Sequence, residues 1–333
     1  MNNDKINKTM NNDLEEMTYE KLGFDLLKEK VAEFCTGEIA REMIRKLAPS
    51  TDIKTVRNRL QETSEARKIL DARGQIPLIG LSDINSALEN LEKGATLEPY
   101  IFTEFYDFLR GCRKMKSFMQ ENIFDAPTLA GYTEGIVELP IIEEEIYRTI
   151  KGNEVDSAAS KTLKNIRSRI DIAEAKIQEK LQKFLKHPDN KAFIQESYIS
   201  KKNDHYTVPI IASYKNQVAG NVIEVSAKGS TVFIEPASVN RLQLELINLR
   251  VEESIEIYQL LAALSGLILE NIQEIRMNLD LLIHFDMVFA KGKYSRNIGG
   301  IAPKINNHSY IKIIQGKHPL LEGAVVPLDF TIG

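Results

Sequence analysis

Apolar residues along 161–186 fall at Leu163, Ile166, Ile170, Ala173, Ile177, Leu181 and Phe184, in steps of 3, 4, 3, 4, 4 and 3. Such steps mark a stripe one seam wide, close to a heptad, with Lys and Glu on the remaining faces. They predict an outgoing arm helix within 161–197, broken at His187-Pro188 and resuming briefly through Lys191–Glu196. From Tyr206 the period falls to two. Tyr206-Thr207-Val208, Val218–Val225 and Ser230–Ile234 are rich in β-branched residues, and Asn203-Asp204, Lys215-Asn216 and Lys228-Gly229 are turn candidates between them. A β-rich tip over 198–236 is the expectation. The heptad-like stripe then returns through Leu242, Leu246 and Leu249, and onward through Leu260, Leu264, Leu267, Ile275, Leu279 and Leu282. It predicts a long returning helix over 237–292, opened by Pro236. Run without a break, Ala237–Ala290 would rise about 80 Å. Gly266 and the charged Glu253 and Glu256 interrupt this stripe, so a kink is expected there.

Upstream, 1–16 reads as a polar, disordered tail and 17–160 as a helical core domain. Leu22, Leu26, Leu27, Val31 and Phe34 follow helical spacing, with Gly37 as a stop; Pro49-Ser50 opens a second helix. Phe102–Phe118 is the most apolar of these helices. Helical spacing assigns Phe102, Phe105, Tyr106 and Phe108 to core packing rather than to a binding patch. Pro127–Pro140 has no sustained period and reads as connecting structure. After Gly299-Gly300, residues 293–333 hold one strand-like run, Tyr310–Ile314, and too few elements to close a domain. Because the sheet is short, the second long helix must pass back along the first. The expected fold is mainly α: a helical core with a long antiparallel coiled-coil arm carrying a small antiparallel β-rich tip.

Composition fits a folded, cytoplasmic protein: 43% hydrophobic and 27% charged residues, with a formal net charge of -4. No apolar run is long enough to span a membrane, and the first residues lack a signal-peptide pattern. Cys35 and Cys112 are expected to be free thiols. Gly316-Lys317 is followed by His318 and lacks the upstream glycine of a phosphate-binding loop, so no ATP site is expected within these residues. The five histidines form no metal-ligating spacing, and no catalytic residue, metal or cofactor is assigned.

Regional charge alters this picture. Glu134–Asp156 carries seven acidic and two basic residues, whereas Lys161–Lys202 carries eleven basic and five acidic. Lys161, Lys164, Arg167, Arg169, Lys176, Lys180, Lys183 and Lys186 run along the arm. Lys191, Lys201, Lys202, Lys215 and Lys228 surround the tip. Lysine and arginine pair with phosphate without reading base identity, so the stripe is either the solvated face of a coiled coil or a clamp for a polyanion.

The string Ser226-Ala227-Lys228-Gly229-Ser230-Thr231-Val232-Phe233-Ile234-Glu235-Pro236, with Val218–Val225 before it, resembles the clamp-to-lever junction of the MutS superfamily. It is nearest to the MutS-two branch. Asn203-Asp204-His205-Tyr206-Thr207-Val208-Pro209 and Gly316-Lys317-His318-Pro319-Leu320-Leu321 support the resemblance, which covers Leu14–Gly333. It implies that 17–160 is the core of a lever domain, that the arm and tip are lever and clamp, and that 293–333 begins an ATPase domain cut before its Walker motif. It further implies a homodimeric whole protein that uses ATP and Mg, in some relatives with an Smr nuclease domain. The partner would be double-stranded or branched DNA, or alternatively ribosomal RNA on a stalled ribosome; a structural coiled-coil adaptor is the third reading. The phosphate contacts then expected are Lys201, Lys202, Lys215 and Lys228 at the tip and Lys180, Lys183 and Lys186 on the arm. Gly220 and Gly229 are expected as turn or bulge glycines. His205 stands where relatives commonly have Arg, which weakens one expected phosphate contact.

Overall fold

The computed structural model describes residues 17–333 apart from 83 and 322; the tail expected over 1–16 lies outside the described residues. The protein is mainly α-helical with small antiparallel sheets. It divides into two compact units, one formed by the chain up to Ala95 with Ile101–Glu144 and Leu267–Gly333, the other by Thr96–Tyr100 and Glu145–Gly266.

The first unit holds α1 (Phe24–Ala32), α2 (Glu38–Arg45), α3 (Ile53–Arg73) and α4 (Asn85–Glu92), most of α5 (Pro99–Glu121), then α6 (Pro127–Tyr132) and the start of α7 (Pro140–Thr149). Its core is aromatic. Phe102, Phe105 and Phe108 of α5 are buried, whereas Tyr106 is half-buried. Gly37 does not stop α1, which ends at Ala32, but stands at the N-cap of α2 with no side chain to offer. The buried Asp286 carboxylate takes that role from across the fold. Its Oδ2 accepts from Gly37 N at 2.8 Å, and both oxygens lie 2.9 Å from Thr36 N. Helix starts carry unpaired N–H groups and partial positive charge, so a buried carboxylate is held there with no cation within 4.0 Å among the described residues. Pro127–Pro140 is helical at first, contrary to the sequence reading. Pro127 suits the first turn of α6, and buried Glu65 accepts from Leu129 N at 3.0 Å. Six residues are too few to display a period. Both cysteines are free and buried, and burial, followed by the Asp286 charge, pushes the Cys35 thiol up to about 12.

The second unit begins with the two-stranded β1 (Ile150–Lys151) and β2 (Glu154–Val155), then α8 (Lys161–Lys186). Ser160 caps α8, its hydroxyl accepting from Leu163 N at 2.9 Å. The residues of the predicted seam from Leu163 to Leu181 are all buried. Four strands follow: β3 (Ser200–Lys202), β4 (His205–Ile211), β5 (Gly220–Val225) and β6 (Thr231–Pro236), in the order β3-β4-β6-β5, each pairing antiparallel. The long α9 (Asn240–Glu270) completes this unit through Gly266.

Polar contacts give the direction of α9 against α8. Ser160 Oγ donates to Glu256 Oε1 at 2.6 Å and Arg167 Nε to Glu253 Oε1 at 2.7 Å; Arg250 Nη2 reaches Glu174 Oε1 at 2.6 Å, and Lys180 Nζ donates to the Ser238 carbonyl at 3.1 Å. Partner numbers fall on α9 as they rise on α8, so the two helices run antiparallel. Ile170, Ile177 and Leu181 share one core with Val208, Val232 and Ile234 of the sheet and with Leu246 and Leu249 of α9. Burial of that apolar area drives the docking of sheet on helices.

The returning helix departs from the sequence reading in two places. Pro236 closes β6, paired with Gly220, and α9 starts four residues later at Asn240. The helix also runs through Gly266 unbroken and stops at Asn271, after which α10 (Ile272–Asn297) begins. There Asn271 has φ -113° and ψ 23°, its amide turns back to the Leu267 carbonyl at 2.9 Å, and its N–H meets the Ile268 carbonyl. Glu253 and Glu256 cause no kink, because Arg167 and Ser160 satisfy them. The brief helix expected through Lys191–Glu196 is absent: Pro188–Asn190 forms one 3-10 turn, and Ile194 then bridges to Ile210 of β4. A hairpin, β7 (Ile311–Gly316) with β8 (Leu328–Ile332), lies in the first unit.

Candidate nucleic-acid interface

The β3–β4 turn is built by Asn203 and Asp204, both at positive φ (47° and 65°), which the right-handed twist of a two-residue hairpin requires. Two polar links tie this turn to the start of α9. Buried Gln243 donates to the Asp204 carbonyl at 2.8 Å and accepts from Tyr206 N at 3.3 Å. His205 Nδ1 hydrogen-bonds the buried Glu235 carboxylate, whose other oxygen lies 2.8 Å from the Asn240 amide. His205 therefore faces an internal carboxylate. None of these four residues was marked functional from sequence, since Glu235 and Asn240 acquire their meaning only once β6 is laid beside β4.

The seven predicted lysines do not form one surface. Lys201 and Lys202 stand at the α9 end of the sheet, and both are engaged. Lys201 Nζ lies 3.2 Å from Asp204, while Lys202 donates to Glu224 at 2.9 Å with its ammonium 4.5 Å from the Phe233 ring centre. On α8, Lys183 pairs with Glu179 at 2.6 Å, and Lys180 holds the Ser238 carbonyl. Arg167 and Arg169 are also drawn off the basic stripe, by Glu253 and Glu252.

The other end of the sheet is different. The end of α8 is joined to the loop after it by Asn190, whose amide donates to the Phe184 carbonyl at 2.9 Å. Ile211 N donates to the Phe193 carbonyl at 2.8 Å, and Ala212 N to the Ser230 carbonyl at 3.0 Å. The end of α8, the 188–195 loop, the exit of β4 and the β5–β6 turn therefore meet there. These segments carry Lys186, Lys191, Lys215 and Lys228, all exposed. Among the described residues none of the four has a carboxylate within 4.0 Å, and the exposed Asp189 of the same loop lies 3.7 Å from His187 Nδ1. Seven residues of β4 separate the two ends by about 20 Å. Sequence reading counted Lys191 near the tip but not among the contacts. Its place is set by the 193–195 pairing with β4, which the sequence reading took for helix.

The two glycines differ in kind. Gly229, at φ 68° in the β5–β6 turn, has open space around it. Gly220 is neither a turn nor the bulge, which falls between Val222 and Glu224. A Cβ on Gly220 would run into the Glu235 carbonyl oxygen and lie 2.9 Å from Pro236 Cα. Gly229→Ala is thus expected to cost about 1 kcal/mol through backbone strain alone. Gly220→Ala should cost about 1–3 kcal/mol and push β5 from β6. Urea melts measure both costs, and amide exchange across Asn221–Val225 should quicken only in the Gly220 variant.

Among the described residues no group of three or more His, Cys, Asp or Glu side chains is placed to hold a metal ion, and no single helix is long and apolar enough to cross a membrane.

No protein-family model matches the chain. Curated relatives do. A protein of Geobacillus sp. (strain WCH70) described as endonuclease MutS2 is 33% identical over 317 residues, covering 94% of this chain and 40% of the relative. The protein of the same description from Geobacillus thermodenitrificans is 35% identical over the same shares, and that of Halothermothrix orenii is 33% identical over 329 residues, 96% of this chain and 42% of the relative. With the helical architecture and the Ser226–Pro236 string, these alignments make the chain a member of the MutS superfamily. Within it, the chain belongs to the MutS2 branch. It spans about two fifths of the length of the relatives it matches.

Proposed function

We propose that this chain is the lever and clamp module of a MutS2-type protein, and that the far end of its β tip grips the phosphates of double-stranded or branched DNA. The carrying observation is the set of four lysines at that end, Lys186, Lys191, Lys215 and Lys228, with no carboxylate partner among the described residues. An uncompensated ammonium keeps its full charge for a phosphate, whereas Lys202 and Lys201 would first have to leave Glu224 and Asp204. The antiparallel α8–α9 pair acts as the arm, with coiled-coil packing supported by the spacing of the buried seam. The lock between His205, Glu235, Asn240 and Gln243 carries motion of α9 into the sheet.

For the whole protein we propose a homodimer in which ATP and Mg at a separate ATPase domain open and close the clamp. No catalytic step is assigned to the residues described here. The relatives' description as endonucleases supports a nucleic acid as the partner. A photo-crosslinking residue placed at 215 or 228 in the whole protein tests this in cells. Adducts with DNA are expected. Adducts confined to ribosomal RNA would replace DNA by the ribosome as the partner, and adducts with neither would leave a structural adaptor.

A further inference from the structure

A groove in the first unit lies between facing stripes of α3 and α10 and belongs to no function assigned so far. Thr55, Asn58, Arg59 and Glu62 line one wall and His284, Met287, Val288 and Lys291 the other, each at i, i+3, i+4 and i+7 spacing, around a cavity of about 270 Å³. Its one carboxylate is already committed. Buried Glu62 accepts from the Tyr132 hydroxyl at 2.6 Å and lies 3.6 Å from His284 Nε2. Burial alone would push the Glu62 carboxyl up, but the His284 and Tyr132 contacts outweigh it and hold it below its ordinary value. Asp52, the N-cap of α3 near the groove, is occupied by the Thr55 amide and hydroxyl.

Two cations are left without such a match. Among the described residues neither Arg59 nor Lys291 has a carboxylate within 4.0 Å; the nearest basic side chain to Glu62 in this groove is His284. Lys291 is half-buried on α10, and burial followed by the Arg59 charge holds its ammonium below the ordinary lysine value against the weaker opposing pull of Glu62. Two like charges converging on a partly dehydrated space are stabilised by an anion placed between them. Leu47, Met287 and Val288 give the same cavity an apolar floor.

The geometry points to a binding site for a small phosphate monoester, its phosphate held between Arg59 and Lys291 and its body against Leu47, Met287 and Val288. Phosphate suits the pair because arginine presents a fork of donors and lysine a point charge. The cavity lies just below the range of about 300–1,000 Å³ that holds drug-sized ligands, which favours a compact molecule over a polymer.

Calorimetric titration of the full chain with inorganic phosphate and with glycerol 3-phosphate, at constant ionic strength against chloride, tests the site. Saturable one-to-one binding is expected, tighter for the ester, and weakened at least tenfold in both Arg59→Gln and Lys291→Met. Arg59 is exposed, so its variant keeps the fold and decides the matter should Lys291→Met fail to fold. Absence of saturable binding, or equal binding by wild type and Arg59→Gln, would overturn the proposal. So would displacement of phosphate by a DNA duplex whose own affinity falls in Arg59→Gln, since the groove would then contact a nucleic-acid backbone.

Discussion

Asp286→Ala is expected to lower stability by about 3 kcal/mol, among the largest losses any single side chain here can produce. Asp286 is buried and accepts from Thr36 N and Gly37 N, the donors at the start of α2. Hydrogen bonds to a charged acceptor each contribute about 1.5–3 kcal/mol, and their loss leaves orphaned donors in a site with little water. Gly37 cannot compensate because it has no side chain, so the cap of α2 depends on a residue 249 positions away. Asp286→Asn retains an acceptor without the charge and should lose roughly half as much. Urea melts followed by circular dichroism measure both; a loss below about 1 kcal/mol for the alanine variant would mean that α2 is capped by some other group.

The second large effect concerns binding. Each phosphate neutralised by a lysine contributes a slope of about 0.9 in log affinity against log salt, so one contact is worth roughly tenfold at 0.1 M salt. Lys215→Glu with Lys228→Glu should therefore weaken duplex binding about 100-fold and lower the salt slope by about 2. The same reversal at Lys202 is a different experiment. It breaks the pair with Glu224 and the contact over Phe233, so it should lower stability while leaving the salt slope nearly unchanged. Lys201 belongs with Lys202, since Asp204 already holds it.

How much of this was legible in the chain differs by element, for physical reasons. The seam from Leu163 to Leu181 was plain because α8 buries a single stripe, and a single stripe leaves the helical period visible. Of the four-stranded sheet, β4, β5 and β6 were plain as well, through β-branched runs and the Asn203-Asp204 turn, whereas β3, the short polar Ser200–Lys202, was not. The break at Asn271 was hidden. It rests on an asparagine amide turning back to the Leu267 carbonyl, whereas Gly266, the residue that invites a break, sits where an added Cβ would meet nothing.

Charge was the least legible property. Eleven basic residues over Lys161–Lys202 looked like one surface, because sequence does not say which carboxylate a cation meets. Glu253 meets Arg167 from 86 residues away, and Glu224 meets Lys202 across the sheet. Removing the paired cations leaves Lys161, Lys164 and Lys176 spread along α8 and a cluster at the far end of the sheet, where Lys186 and Lys191 join Lys215 and Lys228 through backbone contacts between α8, the 188–195 loop, β4 and the β5–β6 turn. Of the seven lysines chosen from sequence, three belong to that set, and Lys191 is the fourth member.

The central claim is that this far end, not the whole basic stripe, holds nucleic acid. Fluorescence anisotropy of a labelled branched duplex, titrated with wild type, Lys215→Glu/Lys228→Glu and Lys201→Glu at 50 and 200 mM salt, tests it most directly. The account predicts binding that weakens with salt, a loss of about 100-fold with a shallower salt slope in the double variant, and little change on reversing Lys201. Equal losses for Lys201→Glu and the double variant, or binding indifferent to salt, would contradict it.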